Sequence, residues 1–123
     1  MRTSAATAGT YDRDKVRKQM ESTLHRCERI LKGHYGDRFR GLVLYGSSAR
    51  GRSDDESDID LLVLLEDPFD YFAELRKIVE LLYPVQLESD RLISAKPVSI
   101  DEYNEGTIAL YRIAKRDGQA LAT

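Results

Sequence analysis

The chain has 123 residues, 41% of them hydrophobic and 33% charged, with a formal net charge of -2. That length suits one compact domain rather than two, and the near-balance of charge gives no electrostatic reason for nonspecific nucleic-acid binding. The sole cysteine, Cys27, excludes an intramolecular disulfide and a cysteine-rich zinc site. Residues 1–10 (MRTSAATAGT) are small and polar and lack the apolar stretch of a secretory signal. They are expected to be disordered, with residues 11–123 forming a single domain. No apolar run approaches the ~18 residues of a membrane span, so a cytoplasmic location is expected by elimination.

Residues 12–32 read as a helix, because Val16, Met20, Leu24, Cys27, Ile30 and Leu31 recur at three- and four-residue spacing. Gly33 can end it. Leu42–Tyr45 is a short apolar run of the kind found in a central strand, and residues 47–57 are polar. A second central strand is expected over Asp58–Leu65. Asp67 then offers an N-cap with Pro68 at the first helical position. The helix that follows carries Phe69, Phe72, Leu75, Val79 and Leu82 on one stripe, and Pro84 is expected to end it. Val85–Ser94 is the third strand candidate. Ser99 and Glu102 form a capping-box pattern before a last helix weakened at Gly106 and ended by Gly118. The predicted order is α-β-β-α-β-α, an α/β (α+β) fold in which helices cover a small mixed sheet.

The most informative stretch is residues 46–60, GSSARGRSDDESDID, which lies between the two central strands. Side chains alternate along a strand, so Asp58 and Asp60 point the same way, less than ~7 Å apart. Two carboxylates on one face are costly unless a cation or a proton neutralises them. A Gly46-Ser47 turn at the end of the neighbouring strand can bring backbone N–H groups close to an anion. The pattern suits metal ions on one side and phosphates on the other. Taken alone, an isolated D-x-D is more often a solvated strand start. The spacing to Gly46-Ser47 and the flanking apolar strands reverse that reading.

Two rival motifs overlap the segment. Gly46–Ser53 is one letter from a P-loop, with Arg52 where the lysine belongs, but a P-loop serine must lead into a helix and here an acidic run and a strand follow. A calcium loop starting at Asp54 would need glycine and glutamate where Ile59 and Leu65 stand. His25, His34 and Cys27 show no familiar zinc spacing, and Cys27 sits on the apolar stripe as a core residue.

On these residues the chain resembles the minimal nucleotidyltransferase domain of the DNA polymerase β-like superfamily. The hallmark of that family is Gly-Ser, a spacer of about ten residues, then Asp-x-Asp; here it is Gly46, Ser47, Ser48–Ser57, Asp58, Ile59 and Asp60. The resemblance implies a magnesium-dependent transfer of a nucleoside monophosphate, AMP from ATP being favoured, to an acceptor hydroxyl with release of pyrophosphate. Asp58 and Asp60 would hold Mg²⁺, two ions in a fully catalytic site. Gly46 and Ser47 would hold the β- and γ-phosphates, with Arg50 adding a charge-assisted contact and Arg52 the weaker candidate. Catalytic members carry a third carboxylate on the strand beside the D-x-D strand. Glu88 is the preferred candidate and Asp90 the other, although Leu92 stands in the usual place.

Relatives that hold an acceptor carry an extra domain, which a chain of this length is not expected to include. Minimal members often act with a HEPN-type toxin as antitoxins that transfer AMP to it. The resemblance therefore implies a protein partner. Two other readings stay open: a catalytically weak module that neutralises such a partner by docking, and a small-molecule nucleotidyltransferase whose acceptor site comes from a homo-oligomer interface.

Overall fold

The computed structural model describes residues 13–46 and 58–121. The elements in chain order are α1 (Arg13–Tyr35), a short 3₁₀ turn (Gly36–Arg38), β1 (Phe39–Tyr45), β2 (Ile59–Leu65), α2 (Tyr71–Leu87), β3 (Ile93–Ser99), α3 (Ile100–Glu105), α4 (Ala109–Asp117) and β4 (Gln119–Leu121). The sheet order is β3-β2-β1-β4. β1 runs antiparallel to β2 and to β4, and β2 runs parallel to β3. The expected α/β class and mixed sheet are therefore observed. None of the helices among the described residues is long and apolar enough to cross a membrane.

β1 from Leu42 and β2 from Leu61 are apolar runs because both of their faces are covered. Leu61, Val63 and Leu65 of β2 and Leu42 and Leu44 of β1 meet Leu24, Cys27 and Leu31 of α1 and Ile78, Leu82 and Val85 of α2. The alternate residues Leu62 and Leu64, with Val43 and Val98, meet Tyr103 of α3 and Ala114 of α4. The register shifts between Phe39 and Gly41. Such an extra residue flips the alternation, which lets Phe39 share the α1–α2 face with Leu42.

Several expected boundaries move, each for a local reason. α1 runs through Gly33 to Tyr35, because Tyr35 is buried and its hydroxyl donates to Glu74 Oε1 at 2.7 Å. Helix α2 is capped by Asp70, whose side chain accepts from the Ala73 N–H at 3.1 Å, not by Asp67, which accepts a hydrogen bond from the Ser99 hydroxyl and precedes a cis bond to Pro68. Pro84 lies inside α2 and does not end it. A proline forfeits one backbone hydrogen bond in a helix, but burial of Leu82 and Val85 on either side holds the last turn in place. The third strand is accordingly Ile93–Ser99 and not Val85–Ser94. It includes Pro97, which is tolerated because β3 is an edge strand.

Ser99 caps the next helix as the capping box predicts, accepting from the Glu102 N–H at 3.2 Å. The chain breaks at Gly106, whose φ of +67° is left-handed. Helix α4 ends at Gly118. The short β4, not anticipated from the sequence, then closes the free edge of β1.

Candidate active site

The antiparallel pairing of β1 and β2 brings the end of the first strand beside the start of the second. Tyr45 pairs with Asp60, so Gly46 and Asp58 lie at the same end of the sheet. Asp58 is exposed and Asp60 half-buried. Alternation puts both on the α3–α4 face, in line with Leu62 and Leu64.

Gly46 has a φ of +81°, a conformation few other residues adopt. A Cβ built there would lie 2.6 Å from Asp60 Oδ2. The turn therefore requires glycine twice, for its backbone and for the room it leaves at the carboxylate. Ser47 and Arg50, expected to contact phosphate, lie outside the described residues, as do residues 1–10 and the acidic run at 54–56.

The Asp60 carboxyl is held above its ordinary range, first by burial and then by the negative charge of Asp58, while Lys96 pulls the other way. A carboxylate that is poorly solvated and faces a second acid binds a hard divalent cation well. Two aspartates beside a glycine-only turn thus fit the donor set that Mg²⁺ takes. Among the described residues, no third Asp, Glu, His or Cys joins them in a metal-sized group.

Glu88 is not on the strand beside Asp60. It follows the last residue of α2, and both of its carboxylate oxygens accept from the Arg26 guanidinium of α1 at 3.2 Å. The expectation that Glu88 lies on the third strand fails because α2 continues past Pro84 and takes up the first residues of that stretch. Asp90 lies in the following loop, lining a shallow cavity with Val16, Met20, Thr23 and Ile59, and Leu92 also precedes β3. The residues of β3 that share the face of Asp60 are Ser94, Lys96 and Val98.

Lys96 was not singled out from the sequence. Its signal would have been the S-x-K-x-V alternation across Ser94, Lys96 and Val98, which Pro97 obscures. Cys27 is fully buried in the core, and burial pushes its thiol up to about 11, so it is no nucleophile.

A mixed sheet whose second strand begins D-x-D, beside a glycine turn at the end of the first, defines the nucleotidyltransferase-like architecture. Residues 24–112 match the family model described as nucleotidyltransferase domain, and the chain belongs to that family. It is 35% identical over 80 residues to the candidate protein adenylyltransferase MJ0604 of Methanocaldococcus jannaschii, covering 62% of this chain and 80% of that protein. It is 31% identical over 85 residues to a second, MJ1379, of the same organism, covering 68% and 83%. Among solved structures, a crystal structure of a mutant of the toxin-antitoxin pair MntA-HpeT shares the fold at a TM-score of 0.54 and 20% identity, covering 80% of this chain and 72% of that one.

Proposed function

We propose that the protein transfers AMP from ATP, with Mg²⁺, to a hydroxyl of a protein partner. The observation that carries this reading is the packing of Gly46 against Asp60, with Asp58 beside it, at one end of the sheet. The relatives named as adenylyltransferases support the choice of AMP. The toxin-antitoxin pair that shares the fold supports a toxin as acceptor, here a HEPN-type protein that the transfer would silence.

Asp58 and Asp60 would hold Mg²⁺ jointly with the triphosphate. The metal would supply Lewis acidity and neutralise phosphate charge. The protein's own part is to orient. Gly46 lets the backbone approach the phosphates, and Ser47 and Arg50 donate to the β- and γ-phosphates. The acceptor hydroxyl then gives up its proton to solvent as its oxygen bonds to the α-phosphorus and the bond to the departing pyrophosphate breaks.

The absence of a third acid beside the pair among the described residues favours a second reading, a module that binds nucleotide and docks on its partner with little transfer. The deciding experiment incubates the protein with ATP, Mg²⁺ and a HEPN-type candidate partner and weighs the partner by mass spectrometry. A partner heavier by one AMP supports transfer. A neutralised partner of unchanged mass supports docking.

A further inference from the structure

The strand parallel to β2 brings a cation to Asp60 where an acid was expected. Asp60 pairs with Ser94 and Leu62 pairs with Lys96. Lys96 therefore lies on the diagonal from Asp60, about 8 Å away between Cα atoms for a strand spacing of ~4.8 Å and a same-face repeat of ~6.6 Å. A lysine stem spans such a gap along apolar surface while its ammonium stays at the polar end. The stem here is half-buried, and its charge acts on the Asp60 carboxylate and on the Tyr111 hydroxyl of α4.

The charge count is unusual for a site that holds two divalent ions. Among the described residues, two carboxylates give two negative charges and Lys96 returns one positive charge, leaving a net charge of one minus. No further acidic or imidazole ligand joins them among the described residues. One divalent cation is matched by that donor set and by a triphosphate. A second would stand beside an ammonium without a carboxylate of its own among the described residues.

We propose that Lys96 is a phosphate-contacting residue that stands in for a second metal, so that Asp58, Asp60 and Lys96 together accept a nucleoside triphosphate carrying a single divalent cation. The proposal rests on the nucleotidyltransferase reading above. The lysine would neutralise phosphate charge from the sheet side, opposite the Gly46 turn. It is a binding role, and a non-transferable nucleotide reports it without any turnover.

The test counts bound Mn²⁺ by electron paramagnetic resonance in protein saturated with α,β-methylene-ATP. Wild type should hold one Mn²⁺ per bound nucleotide. Lys96→Asp should gain a second. Lys96→Gln should weaken the analogue by about tenfold or more, as loss of a charge-assisted contact does, and Lys96→Arg should restore most of the affinity. Thermal unfolding of each variant separates a lost site from a lost fold. Two Mn²⁺ in wild type, one in Lys96→Asp, or unchanged affinity in Lys96→Gln would each overturn the proposal. Asp60→Asn is run in parallel. If it abolishes binding while the Lys96 variants behave as wild type, only the role of Lys96 fails. If Asp60→Asn binds as wild type does, the site itself is misassigned and the proposal falls with it.

Discussion

On the α1–α2 face of the sheet, fourteen described residues are buried in one cluster; on the α3–α4 face there are six. The first face also ties off charges near its rim, with Arg26 on Glu88 and Tyr35 on Glu74. The second ends in Asp58 and Asp60, two like charges near each other, with Lys96 the cation acting on Asp60. The same two strands supply both faces, and on β2 the difference comes from alternation: its odd residues are all apolar, while the even positions start with Asp58, just before the strand, and Asp60. One face holds the fold together, and the other ends in polar groups at the proposed nucleotide site.

If that division is right, substitutions on the two faces should separate stability from binding. The largest effect is expected for Leu61→Ala, a fully buried position of the larger cluster. It should cost about 2–5 kcal/mol in chemical denaturation. Leu64→Ala, on the smaller cluster, should fall at or below the low end of that range, and an equal or greater cost would break the contrast.

Next in size is the glycine turn. Gly46→Val must drive a side chain into the Asp60 carboxylate, so nucleotide binding in a calorimetric titration should be lost. Ser47→Ala removes one donor and should weaken binding by roughly 0.5–1.5 kcal/mol. A serine variant worse than the glycine variant would mean that the turn does not cradle phosphate.

The smallest effects concern charge. Glu88→Gln breaks an ion pair whose acid side chain is 68% exposed. It should change stability by less than about 1 kcal/mol and leave nucleotide affinity alone. Asp60→Asn should act with the opposite sign on the nucleotide-free protein. The carboxyl of Asp60 is raised in the folded state, so the fold is favoured when the group is protonated. Stability is then lost as pH rises from the unfolded value through the raised folded one. Asparagine removes that loss, and its melting temperature at neutral pH should be equal to or above wild type. A clear drop would mean that Asp60 holds the fold together rather than straining it.

Much of this was legible in the sequence. Strands β1 and β2 declare themselves because uninterrupted apolar runs have few other uses, and the capping box at Ser99 names its helix start by hydrogen-bond chemistry. The placing of Gly46 near the D-x-D stretch follows from two strands joined by a short polar stretch. What could not be read was governed by packing at a distance. Pro84 is a helix breaker by local rules, yet buried Leu82 and Val85 carry α2 past it. That displaced the third strand, moved Glu88 and Asp90 off it, and hid Lys96. Strand β4 has three residues and exists only because β1 offers an open edge.

The measurement that bears most directly on the central claim is Mg²⁺-dependent ATP binding to wild type, Asp58→Asn and Asp60→Asn, each confirmed folded by circular dichroism. Wild type should bind ATP with Mg²⁺ and much more weakly with chelator present, and both variants should lose the metal-dependent part. Equal ATP affinity in all three proteins, with or without Mg²⁺, would contradict the assignment of this sheet end as the nucleotide site.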